Sequence, residues 1–342
     1  MGRRVRVTLI ALALLAILLA LPRGRRDAEA SASAGSVRVG LVFDIGGRGD
    51  KSFNDAAYIG LLRAQRELDA AVEFVEPAGA EDREAALRLF AARGFDLVIG
   101  VGFIFSRDVD TVALDYPSVR FACVDYAPPF DGSPMPPNVT GLAFREEEGS
   151  FLVGAVAGLT TKTQHVGFVG GMDIPLIHKF DAGYRAGVLA VCETCTLHVA
   201  YAGSTPDAFR DPAKGKSIAL AQIGASADVL FHASGSTGHG VFEAAKQSGV
   251  LAIGVDADQY DEAPGTILTS MVKRADVAVF DAIASARDGK LKGGMLVLGL
   301  REAGLDYVHE GAHAALITTA VRERVEALRA KIISGAIVVP SE

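Results

Sequence analysis

From Gly35 onward the chain alternates short apolar runs with segments whose apolar residues recur every three or four positions. The runs are VRVGLVF, AVEFVEP, FDLVIGVG, VRFACVDY, HVGFVGG, TLHVAYAG, ADVLFHASG, VLAIGVDA, TILTSMV and GMLVLGL. Between most of them lie helical patterns such as EDREAALRLFAARG, FREEEGSFLVGAVAGLTT, HKFDAGYRAGVLAV, KGKSIALAQIGA, HGVFEAAKQSG and ADVAVFDAIASARDG. Apolar strands separated by helices predict parallel sheets covered on both faces. Ten strands are many for one sheet, so two doubly wound α/β lobes are expected. With 342 residues, half of them hydrophobic, the chain is long enough to bury two cores. The division is expected near NVTGLAFREEEG, after a proline-rich loop, YAPPFDGSPMPPN. The halves share a rhythm without an evident sequence repeat. The acids of REEEG suit the first turn of a helix, where they meet the positive end of its dipole.

Ligands of open parallel sheets bind beyond the carboxyl ends of the strands. That rule selects Asp44, Asp125, Gly170, Gly235 and Asp256. Three are carboxylates, which repel phosphate and suit a polyhydroxylated or amine-bearing ligand, or a cation. The loop after the first strand, DIGGRGDKSFND, is glycine-rich but lacks both G-x-G-x-x-G and G-K-[ST]. Its glycines turn the chain, and Asp44 and Asp50 on its flanks disfavour a phosphate cradle. The net charge of −7 argues against a nucleic-acid binder.

Other motifs carry less. His309-Glu310-Gly311-Ala312-His313 matches H-E-x-x-H, but a glycine interrupts it and the helical pattern begins later, near Ile317. It is read as a chance match, and no metal or cofactor is expected. No Ser/His/Asp set falls at the strand ends. Asn138-Val139-Thr140 has the glycosylation pattern and marks only a loop. Cys192-Glu-Thr-Cys195 has C-x-x-C spacing, which in an exported chain suggests a local disulfide closing a very small loop. Cys123 reads as a buried small side chain.

The first 35 residues have the order of an export signal: Arg3, Arg4 and Arg6, an apolar run from Val7 to Leu21, then small residues. Cleavage is expected after Ala30, Ala32 or Ala34. The run is short for a membrane span of about 20 residues. Arg23, Arg25 and Arg26 resist translocation, which leaves an uncleaved anchor as an alternative. Cleavage after Ala30 removes six Arg, one Asp and one Glu, taking the net charge from −7 to −11.

VFDIGGRGDKSFND, FACVDY, NVTGLAFREEEGSFLVGAVAG, VGFVGGMDIPLIHKFDAGYRAG, DPAKGKSIALAQ, GSTGHGVFEAAK, IGVDADQ and SMVKRAD resemble the basic membrane protein family. These are bacterial substrate-binding proteins of ABC transporters, and they include a purine nucleoside receptor lipoprotein. The resemblance covers about residues 36–342. It implies a type I periplasmic-binding-protein fold: two Rossmann-like lobes, a three-stranded hinge and a ligand between the lobes. By that resemblance residues 36–142 with 275–300 form the N-terminal lobe, and 143–274 with 301–342 the C-terminal lobe.

Carried over motif by motif, the implied pocket is Asp44, Phe53, Asn54, Asp125, Gly235, Asp256 and Lys273, with Phe209 as the best candidate for a second aromatic. The implied ligand is a purine nucleoside, the implied partner an ABC permease, and the default state a monomer. In that reading Phe53 and Phe209 stack on the base. Asp256 accepts from the ribose hydroxyls, Lys273 donates to a ribose oxygen, and Asn54 meets the purine edge. The family's lipobox cysteine is missing before Cys123, so the protein is expected in the periplasm or held at the outer face of the cell membrane by its N-terminal run. The rival readings are a sensor for a nucleoside, sugar or autoinducer-like ligand, and a nucleoside-processing enzyme.

Overall fold

The computed structural model describes residues 36–44, 47–79, 82–129 and 132–342. The expected export signal and Gly46 lie outside the described residues. No helix among the described residues is long and apolar enough to cross a membrane.

Among the described residues twelve strands form two sheets: β1 (Arg38–Val42), β2 (Ala71–Val75), β3 (Leu97–Val101), β4 (Arg120–Val124), β5 (Val139–Phe144), β6 (His165–Met172), β7 (Thr196–Gly203), β8 (Val229–Ala233), β9 (Leu251–Asp256), β10 (Ile267–Lys273), β11 (Gly294–Leu298) and β12 (Leu305–Tyr307). The first sheet runs β11-β5-β4-β3-β1-β2 and the second β12-β10-β9-β8-β6-β7. Every neighbouring pair is parallel except β10 with β12. The orders match position for position, so β1 corresponds to β6 and β4 to β9. Central strands such as β3 and β8 are buried along their whole length, as their unbroken apolar sequences require.

The helices are α1 (Phe53–Glu67), α2 (Asp82–Ala92), α3 (Ser106–Asp115), α4 (Glu146–Thr160), α5 (Pro175–Leu189), α6 (Pro212–Gly224), α7 (Gly238–Ser248), α8 (Ala275–Arg287) and α9 (Thr319–Ile333). Helix α8 follows a strand of the second sheet but lies on α1, where the Arg63 guanidinium sits 3.8 Å from the centre of the Phe280 ring. The chain therefore passes between the sheets three times: from β5 to α4, from β10 to α8, and from β11 to β12. The first passage follows Phe144, two residues beyond the expected boundary, because β5 stays paired with β11 as far as Phe144.

Two strands were not legible as strands. Thr140 and Gly141 interrupt the apolar run of β5, and β12 has only three residues, one of them Asp306. Gly170 is not a strand end. It lies within β6, and a Cβ there would stand 2.5 Å from the Tyr201 ring. Acids fill the first turn of α4, as its sequence suggests. Asn138 does more than mark a loop: its amide nitrogen donates to the carbonyls of Ala113, Tyr116 and Val119, tying off the end of α3. Cys192 and Cys195 are joined by a disulfide in the turn between α5 and β7, and Cys123 is a buried free thiol. Residues 311–315 of the H-E-x-x-H region form a short 3₁₀ turn, and both nitrogens of His313 are engaged, with the Leu268 carbonyl (3.1 Å) and Asp258 (2.9 Å).

Candidate functional site: the cleft between the two sheets

The carboxyl ends of both sheets border one cleft, with about 710 Å³ between its walls counting the part open to solvent. Asp44, Phe53, Asn54, Asp125, Phe209, Gly235, Asp256 and Lys273 all line it. The strand-end rule found the acids because both sheets aim their carboxyl ends at the same space.

The glycine loop is an organised support for Phe53 and Asn54. Asp50 is buried, and its carboxylate accepts from the backbone nitrogens of Ser52 (3.0 Å), Asn54 (2.9 Å) and Asp55 (3.2 Å) and from the Asn54 side-chain nitrogen (3.1 Å). It thus satisfies the free N–H groups at the start of α1. Asn54 in turn accepts from the Asp44 backbone nitrogen at 3.3 Å. Arg48 fastens the loop to the end of β2: its Nε meets Glu76 at 2.8 Å, and its guanidinium lies 4.8 Å and 4.6 Å from the centres of Tyr58 and Phe74. Phe53 therefore sits on a fixed turn.

Asp125 follows β4 and Asp256 ends the corresponding strand β9, and both have left-handed backbone, with φ of 60° and 66°. Asp is among the few side chains that adopt this region with any frequency, and such strain concentrates at functional sites. Burial pushes both carboxyls up to about 6, against the downward pull of Lys273. Asp256 Oδ2 accepts from the Ser52 hydroxyl of the opposite lobe at 2.5 Å. Asp125 Oδ2 accepts from Lys273 at 2.6 Å, while its Oδ1 is buried with no hydrogen-bond partner. An unmet buried acceptor on a cleft wall is a place for a ligand's donor.

Lys273 is 2% exposed, so its charge needs compensation inside the protein. Its Nζ stands 2.6 Å from Asp125 and 3.1 Å from Glu146, and 5.0 Å from the ring centres of both Phe53 and Phe144. Burial lowers its pKa, but Asp125, Glu146 and Asp256 together outweigh burial and hold it protonated. Glu146 is fully buried and also takes Lys179 at 3.0 Å, so the first acid of REEEG does more than meet a dipole. Sequence reading missed this role, and it missed Asp50, Phe180 and Ser234 in the lining. Only Asp50, inside GGRGDKSFND, carried a local sign, a capping acid two residues before Ser52. Phe209 lies on a short turn over Gly171, where a Cβ would stand 2.2 Å from its ring, so Gly171 makes room for the aromatic.

The family model for PnrA-like ABC transporter substrate-binding proteins, Bmp, matches residues 37–342. This chain belongs to the Bmp family. Among relatives of the Bmp chain, the CD4+ T-cell-stimulating antigen of Listeria monocytogenes is 36% identical over 89% of this chain and 88% of its own length. The ABC transporter nucleoside-binding protein BmpA of Lactococcus lactis is 32% identical over 99% of each chain. A solute-binding protein of an ABC transporter system from Aeropyrum pernix superposes with a TM-score of 0.80 at 32% identity, covering 90% of this chain and 94% of its own. The Bmp chain thus has the two-lobed solute-binding fold that its sequence implies.

Proposed function

We propose that this Bmp-family protein holds a purine nucleoside between its lobes and hands it, unaltered, to a membrane permease. The observation that carries the reading is the pairing, in one cleft, of an aromatic ring from each lobe with buried acceptors around a single buried ammonium. Phe53 and Phe209 offer flat apolar faces to a base, each such stacking being worth roughly 0.5–1.5 kcal/mol beyond area burial. Asp256 and the free Oδ1 of Asp125 suit hydroxyl and N–H donors. Lys273 is already shared by two carboxylates, so it does not invite a phosphate. The acids around it make a nucleotide less welcome than a nucleoside. The nucleoside-binding designation of the Lactococcus relative supports the same ligand class.

The Ser234 hydroxyl at the cleft wall meets His232, but the other nitrogen of that buried ring faces the Gln259 amide rather than an orienting carboxylate, which favours carriage over bond-breaking. The N-terminal sequence pattern supports export, as does the lipoprotein designation of a 35% identical relative from Pyrococcus horikoshii. Protein purified without added ligand, denatured and examined by mass spectrometry, should release a purine nucleoside near one equivalent. Stripped protein should gain thermal stability with inosine or guanosine and return each unchanged. Release of free base, or indifference to every nucleoside, would overturn the proposal.

A further inference from the structure

Groups outside the cleft lining also join the two lobes. Gln259, just after β9, is 2% exposed and lies outside the cleft lining. Its side-chain oxygen accepts from the Val255 backbone nitrogen (2.8 Å) and meets His232 Nε2 (3.1 Å). The Val255 N–H can only donate, so it fixes which end of the amide is oxygen. The Gln259 nitrogen must then face the other way, and it donates to the Lys51 carbonyl at 3.2 Å, on the glycine loop of the opposite lobe. Burial pulls His232 down to about 3, keeping the ring neutral. With Nε2 protonated toward Gln259, its Nδ1 is left to accept from Ser234 Oγ at 3.3 Å, and Ser234 lines the cleft.

The backbone is cut to seat this chain of bonds. A Cβ at Gly254 would lie 2.5 Å from Ser270 Oγ and 2.8 Å from Gln259 Oε1, and one at Gly238 would lie 2.0 Å from the His232 ring. Ser270 Oγ accepts from the Gln259 backbone nitrogen at 3.1 Å, holding the residue in place. Lys51 immediately precedes Ser52, whose hydroxyl reaches Asp256, and Phe53.

We propose that Gln259 is a positioning residue for ligand retention: it latches the glycine loop of the first lobe onto the second, and Ser234 and His232 tie that latch to the cleft wall. This deepens the nucleoside reading for the dissociation measurement; the distance measurement is independent of it. Fluorophores on Leu114→Cys and Leu220→Cys, exposed sites of opposite lobes, report the interlobe distance. Gln259→Met removes the amide, and Gln259→Asn keeps one too short to span Val255 and Lys51, so one readable variant suffices. Each should lower the closed fraction below that of the wild type, with or without inosine. Each should also raise the inosine off-rate about tenfold with little change in on-rate. Ser52→Ala, acting from the facing lobe, should move the distance in the same direction. A purely structural glutamine would lower the melting temperature and leave the closed fraction and off-rate at wild-type values, and that result would refute the latch. If no nucleoside binds even the wild type, the distance measurement still decides.

Discussion

At the scale of single residues, the cleft sets Lys273 beside two acids, Asp125 and Asp256, whose carboxyls burial raises to about 6. Asp256 is the clearest case, since burial raises its carboxyl to about 6 and Ser52 is its one close partner. A folded-state pKa above the ordinary carboxylate value means that the native state binds the proton more tightly than the unfolded chain. Its contribution to stability is therefore greatest at low pH and is lost as pH rises from the ordinary carboxylate range to about 6. Ligand affinity should move the other way, because accepting two hydroxyl donors requires the ionised form. Between pH 7 and pH 5 nucleoside affinity should fall about tenfold on account of this group. Titration calorimetry at several pH values reads the slope, and Asp256→Asn should flatten it while weakening binding at pH 7. Residue-level legibility was uneven for a physical reason. Strand-end acids announce themselves by following apolar runs, whereas Glu146 and Gln259 act through partners 127 and 208 positions away, Lys273 and Lys51.

Among the elements, α4 and α5 pack backbone against backbone. A Cβ at Gly183 would lie 2.1 Å from the Glu147 carbonyl oxygen, and one at Gly187 2.0 Å from that of Phe151, so the two backbones touch. Helix α4 starts at the first passage between lobes and carries Glu146 to Lys273, so its seating positions the ion cluster. Gly187→Val should force the helices apart at a cost of about 1–3 kcal/mol, measurable as a fall of roughly 2–4 °C in melting temperature for each kcal/mol. An unchanged melting temperature would show that the pair yields without cost. The disulfide belongs to the same scale. It closes a loop with a sequence separation of 3 at the carboxyl end of α5, where no helix dipole favours a thiolate. Replacing both Cys192 and Cys195 by Ser should cost at most about 2 kcal/mol by chain entropy, with nucleoside affinity unchanged; chemical denaturation and calorimetry check the two parts. Central strands and helices such as α2, α4 and α5 are readable from periodicity, whereas α3, ten residues long, is not among the patterns that stand out. Strand β12 is not readable either, since three residues paired antiparallel to β10 have no period to detect.

At the scale of the whole molecule, the twofold repetition of strand order was invisible in the sequence. Two equivalent sheets need only equivalent apolar patterns, and corresponding positions at their strand ends can carry unlike side chains. Phe144 and Lys273 illustrate it: each ends the fifth strand of its sheet just before the chain changes lobe, one an aromatic and the other a cation resting 5.0 Å from it. Lys273 thus stands at one of the described passages between the sheets, and we propose that these passages are the pivot on which the cleft opens. Points near a pivot travel least when a jaw opens. On that proposal Lys273, Asp125 and Glu146 form the stationary heel of the bite, while Ser52, Asp256 and Gln259 belong to the edges that swing. The Lys273–Asp125 pair joins the two lobes, and its place at the heel lets a guest arrive and depart with the least strain on that contact, which keeps the electrostatic toll of exchange low.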